Sequence, residues 1–139
     1  MKKAGVFDDI DASLIGHPYD ISSTDDGAYA VSRYRVIYHG KSSHSGMAPE
    51  LGINALDAMI AMYNGISMWR QHMPEGVRVH GIITNGGTAA NIVPDYTEAF
   101  FYLRSASSRL QKQLEKRFQQ IVDGAAALTG CTSELIRVS

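Results

Sequence analysis

The run VRVHGIITNGGTAANIVPDYTEAFFYLRS, residues 77–105, decides the fold. It holds two strand patterns with no helix between them. The first, Val77–Gly87, is β-branched and ends in a turn-forming Asn-Gly-Gly. The second, Tyr96–Ser105, alternates between residues suited to a core and residues suited to solvent. Two consecutive strands need an antiparallel pairing, and helical patterns flank them on both sides.

Upstream, YAVSRYRVIYHG (29–40) alternates again. Ala30, Ser32, Tyr34, Val36 and Tyr38 fall on one face, and Tyr29, Val31, Arg33, Arg35 and Ile37 on the other. Between these strands, Leu51–Met73 has apolar residues at 56, 59, 60, 63, 66 and 69, the spacing of an amphipathic helix. Pro49 and Glu50 suit its first turn, and Pro74-Glu75-Gly76 ends it. Downstream, Ser107 or Ser108 caps a second helix whose stripe is Leu110, Leu114, Phe118, Ile121, Val122 and Ala125, with Gly130 as its stop. Glu134–Val138 forms a last strand. The order β-α-β-β-α-β predicts an α+β, ferredoxin-like fold: a four-stranded, mostly antiparallel sheet with two helices on one face.

Residues 1–27 are a different, loosely organised segment. Asp11–Pro18 reads as a short strand stopped by Pro18, and Tyr19–Gly27 is a Ser/Asp/Gly-rich linker. MKKAGVFDD acquires Asp8 and Asp9 before any apolar region forms, so it does not read as a signal peptide.

At 139 residues, 45% hydrophobic and 19% charged, the chain has the composition of a globular domain. A net charge of −1 makes no electrostatic case for nucleic acid or an anionic membrane. The single cysteine, Cys131, excludes an internal disulfide and suits a reducing compartment. No apolar run approaches the ~18 residues of a membrane span. A cytoplasmic location is expected.

Of five histidines, His39, His72 and His80 sit in predicted elements as ordinary surface or packed residues, and no HExxH or CxxC spacing accompanies them. His44 differs, because GKSSHSG surrounds it with small polar residues that offer no packing. TNGGTAANIVPD places one amide, Asn91, among small residues before Ile92-Val93-Pro94. Arg104 ends an apolar strand. An imidazole, an amide and a guanidinium from neighbouring loops together suit a carboxylate or an oxyanion. Taken singly, each is equally an ordinary loop or strand-end residue.

The motifs GKSSHSGMAPELGINAL, GGTAANIVPD and FYLR resemble, in order and spacing, the dimerisation (lid) domain of the M20 family of metallopeptidases and amidohydrolases. The likeness is greatest to the amidohydrolase branch, with its aminoacylase-like and p-aminobenzoyl-glutamate-hydrolase-like members. It covers residues 28–139, and that family's lid is itself ferredoxin-like. Residues 1–27 then resemble a fragment of the catalytic domain plus linker, with His17 matching a metal-ligating histidine. The resemblance implies that His44 steadies an oxyanion in another subunit's site. It implies that Asn91 and Arg104 hold a substrate carboxylate, and that Gly86 and Gly87 let the loop backbone approach substrate. It further implies a homodimer through the lid, two divalent metal ions (zinc or manganese) per site in the larger parent, and a small amide substrate bearing a carboxylate.

The remaining metal ligands and the general base of that family match nothing in this chain. It is therefore expected to be a piece of a longer enzyme, binding no metal and turning over nothing alone. Two other readings stay open: a stand-alone ferredoxin-like module that binds a small carboxylate, and a purely structural dimer module.

Overall fold

The structure, a computed structural model, describes residues 2–24 and 27–139. Its elements run β1 (Ala30–His39), α1 (Ala55–Arg70), β2 (Arg78–Asn85), β3 (Tyr96–Ser105), α2 (Ser108–Thr129) and β4 (Thr132–Arg137), with 3-10 turns at Lys2–Ala4 and Pro49–Leu51. The sheet order is β2-β3-β1-β4 and every neighbouring pair is antiparallel. Both helices pack on one face. This is the α+β, ferredoxin-like arrangement that the element order predicts.

Alternation decides which face meets the helices. Ser32, Tyr34, Val36 and Tyr38 of β1 and Thr97, Ala99, Phe101, Leu103 and Ser105 of β3 point inward and are buried. They meet Ala58, Met59, Met62 and Ile66 of α1 and Leu114, Phe118 and Val122 of α2. Tyr38 is enclosed with its hydroxyl donating to the Val122 carbonyl at 2.9 Å, and burial pushes its pKa well above the usual tyrosine value. The opposite face carries Arg33, Arg35, Phe100, Tyr102 and Arg104, and no helix among the described residues covers it.

Capping follows local chemistry. The Ser107 hydroxyl accepts from the Leu110 N–H at 3.3 Å, and Gly130 ends α2 at φ 76°. At the start of α1 the structure corrects the expectation. Pro49-Glu50 do not open the helix, because Ile53 exchanges backbone hydrogen bonds with Lys41 at 2.8 and 2.9 Å and pulls the chain straight. The helix begins only at Ala55, where Asn54 Oδ1 caps the Leu56 N–H at 2.9 Å. Ile60, expected on the stripe, is 46% exposed, and Ala58 and Met62 face the sheet instead.

The strand expected over Asp11–Pro18 does not form. Among the described residues nothing pairs with it, and Leu14 and Ile15 are fully exposed. An apolar run makes a strand only beside another strand.

Candidate functional site

The residues of interest lie at two opposite ends of the sheet. At one end, where β1 leaves towards α1 and β2 turns into β3, two loops are stitched into a short ribbon. Gly40 N–H donates to the Asp95 carbonyl at 2.8 Å, Val93 N–H to Ser43 at 2.9 Å, and Ser45 N–H to Asn91 at 2.9 Å. A bridge between His44 and Ile92 completes it. Residues far apart in the chain, His44 and Asn91, are thereby neighbours on one exposed rim. Small residues let these backbones close up: a Cβ on Gly40 would stand 2.0 Å from the Ile53 carbonyl oxygen of its own loop, and one on Gly52 would stand 3.1 Å from Val93 of the other.

His44 is held in a defined state. The Gly46 N–H donates to its Nδ1 at 3.2 Å. A nitrogen that accepts carries no proton, so the neutral ring bears its proton on Nε2. An exposed Nε2–H is a donor for an oxyanion. Beside the rim lies an open cleft of about 590 Å³, lined by Ser45, Asn54, Leu56, Gly87, Thr88 and Ile92 among others. Gly87 needs its missing side chain, since its φ is +117° and a Cβ would meet Pro94 Cγ at 2.9 Å. Gly86 has ordinary backbone angles and nothing closer than 3.7 Å.

Arg104 is not part of this rim. It sits at the far end of β3, across from Val31 and Arg78. The strand between it and Tyr96 spans roughly 26 Å at about 3.3 Å per residue. The expectation that imidazole, amide and guanidinium come from neighbouring loops therefore holds for His44 and Asn91 and not for Arg104 within one chain. Arg104 occupies the end where the chain enters β1 and leaves β4, and its guanidinium lies 5.8 Å from the centre of the Tyr102 ring. The alternation of FYLR puts Tyr102 on the face of Arg104, a contact that a search for polar partners passes over.

His17 is exposed on the N-terminal segment, and its Nδ1–H donates to the Pro18 carbonyl at 2.9 Å. That leaves Nε2 free as a ligand atom. Among the described residues, however, no three His, Cys, Asp or Glu side chains gather where a metal could bind. A catalytic metal needs about three protein ligands, so the described residues alone do not make such a site. Nor is any helix among them long and apolar enough to cross a membrane.

Fold and rim together define an α+β module with two exposed, hydrogen-bonded loops at one end of its sheet. The chain belongs to the M20 peptidase dimerisation domain family, whose pattern matches residues 28–129. It is 40% identical over 137 residues to a human Xaa-Arg dipeptidase, covering 96% of this chain and 30% of that protein. It is 34% identical over 138 residues to one of the subunits of the Escherichia coli p-aminobenzoyl-glutamate hydrolase, covering 96% of this chain and 28% of that one. The crystal structure of an aminobenzoyl-glutamate utilization protein from Klebsiella pneumoniae superposes with a TM-score of 0.72 at 28% identity, over 80% of this chain and 28% of that one. The chain thus spans about a third of the length of the curated relatives it matches.

Proposed function

We propose that this chain is the lid of a larger M20-type amidohydrolase that cleaves an amide bond in a small substrate bearing a carboxylate. In this reading residues 28–139 form the lid and residues 1–27 belong to the catalytic domain and its linker. The observation that carries it is that His44 and Asn91 lie on adjacent, hydrogen-bonded loops at one end of the sheet, while Arg104 lies at the other end of β3, whose span from Tyr96 is about 26 Å. A rim with an exposed imidazole and an amide, and a distant guanidinium, make sense as halves of two different sites.

A second copy brings the halves together. β2 is a free edge, and Gly81-Ile82-Ile83-Thr84-Asn85 carries none of the charges that protect edges from pairing. Ile82 is 64% exposed and Ile83 40%. Two β2 strands related by a two-fold axis pair antiparallel. That lays the His44–Asn91 rim of one copy beside the Arg104 end of the other. Asn91 and Arg104 then hold the carboxylate, and the His44 Nε2–H donates to the oxygen that becomes negative as the amide is attacked. Gly87 keeps the loop backbone clear for substrate. His17 is assigned as one ligand of a divalent metal in the larger enzyme.

The test is His44→Ala in the enzyme that contains this chain. Removing one oxyanion donor lowers kcat by about 10²–10³ with KM little changed. Unchanged turnover on an N-acyl amino acid would remove His44 from the chemistry and leave only a structural lid.

A further inference from the structure

Backbone groups of successive residues point to opposite sides of a strand, and the pairings of this sheet fix which way each points. The Arg33 N–H donates to the Ser139 carbonyl at 3.2 Å, and the Val138 N–H donates to the Arg33 carbonyl at 2.8 Å. The odd residues of β1 therefore bond on the β4 side and its even residues bond to β3. Tyr34 stands opposite Phe101, and His80 opposite Tyr102. The odd residues of β3 thus bond to β1 and its even residues to β2. On β2 this leaves Val79, Gly81 and Ile83 with their N–H and C=O pointing out along the free edge.

Two of those outward carbonyls are already taken by α1. Arg70 donates to the Val79 carbonyl from Nε at 3.4 Å and from Nη2 at 3.3 Å. The Tyr63 hydroxyl donates to the Gly81 carbonyl at 3.3 Å. The two donors lie seven residues apart, two turns along one face of the helix. They brace each other: Arg70 Cζ lies 5.8 Å from the centre of the Tyr63 ring, which packs 5.8 Å from Phe101. Arg70 Nη1 also donates to Ser67 Oγ at 3.0 Å. Among the described residues nothing donates to the outward Ile83 carbonyl. Past Ile83 the strand is bulged, and Asn85 returns to β3 opposite Glu98.

Two β2 edges that meet about a two-fold axis must choose a register. In an antiparallel pair, the residues that exchange both bonds point outward on both strands. An axis at Gly81 joins Gly81 to Gly81 and Val79 to Ile83. An axis at Ile82 joins Gly81 to Ile83. Both call on carbonyls that α1 already holds, so the incoming N–H must displace or share a donor. An axis at Ile83 joins Ile83 to Ile83 and calls on neither.

We propose that Tyr63 and Arg70 set the register between two copies of this chain: by holding the Gly81 and Val79 carbonyls they close that half of the β2 edge and confine pairing to Ile83. This rests on the pairing of β2 edges proposed above. Pairing at Ile83 carries the Arg104 end of each copy past the end of its partner's β2, towards the 86–95 loop that bears Asn91. The same two side chains keep stray strands off an edge that has no charges of its own between Gly81 and Asn85.

Hydrogen exchange resolved to single amides reads the register, in the enzyme that contains this chain and at concentrations where sedimentation shows dimers. On dimerisation the Ile83 amide slows, while the Val79 and Gly81 amides keep exchanging as they do in the monomer. Tyr63→Phe combined with Arg70→Met keeps the ring and the stem and removes both donors. In that variant the Gly81 amide slows as well, and the dimer dissociation constant falls by about fivefold as longer ladders become available. Tyr63→Phe alone gives the same change at Gly81. Side chains with a merely structural role would loosen the dimer on removal instead of tightening it. A Gly81 amide that is slow in the wild-type dimer overturns the proposal and leaves the pairing of β2 edges standing. So does a variant dimer that is no tighter, with Gly81 still exchanging. If dimers form and none of the three outward amides slows, the pairing of β2 edges falls too, and His44→Ala alone then decides the role of the lid.

Discussion

Gly86 and Gly87 are adjacent and alike in the sequence, yet only the second is required by its surroundings. Gly87 combines a φ of +117° with a Pro94 contact that leaves no room for a methyl group, while Gly86 has neither constraint. Gly87→Ala should cost about 1–3 kcal/mol through backbone strain, and Gly86→Ala should fall within about 0.5 kcal/mol of the parent. Thermal melts of the two variants decide it; equal shifts would mean that the loop, not the residue, sets the cost. The same scale explains what was legible about His44. Its lack of packing neighbours could be read from GKSSHSG, but its tautomer could not. The donor that fixes Nδ1 is the Gly46 backbone N–H, and its position depends on a turn that composition alone does not specify.

At the scale of elements, the strands and helices were largely readable because period-2 and period-3.6 patterns alternate cleanly along residues 29–139. The departures have local causes. In α2 the expected stripe included Leu110 and Ile121, which lie at the margin, and omitted Gln111, which is buried. Gln111 accepts from Ser105 Oγ at 2.8 Å and donates to Ser32 Oγ at 3.0 Å and the Leu103 carbonyl at 3.2 Å. Ser32 in turn donates to Glu115 and accepts from Arg137 at 3.2 Å. The network joins α2 to β1, β3 and β4, and no periodicity announces it, because Ser32 is 79 residues from Gln111. Gln111→Leu strands the hydroxyls and carbonyl it serves and should destabilise the domain by about 1–3 kcal/mol in urea unfolding. Combined with Ser32→Ala, the loss should be smaller than the sum of the single losses, since both remove the same bond. Strict additivity would show that the two side chains do not act together.

For the whole molecule, the proposed site lies in the relation between copies, and on that reading the sequence could supply its residues but not its geometry. Motif order places His44, Asn91 and Arg104 in one set; only the sheet shows that Arg104 is on the end opposite to the other two. That separation yields a prediction of its own for the proposed dimer. His44 of one subunit and Arg104 of the other would serve each site, so a heterodimer of His44→Ala with Arg104→Ala keeps one intact site and has one that lacks both groups. Mixing the two inactive variants, with reversible exchange of subunits, should therefore restore about a quarter of wild-type activity, since random pairing makes about half the dimers mixed and each of these has one working site. If all three residues served the site of their own subunit, every site in the mixture would lack one group and no activity would return. The measurement is turnover of the mixture against its components, with sedimentation confirming that dimers form. A mixture that is as inactive as its parts, despite exchange, would place His44 and Arg104 in one subunit's site and rule out the antiparallel pairing of β2 edges as the way the site is completed.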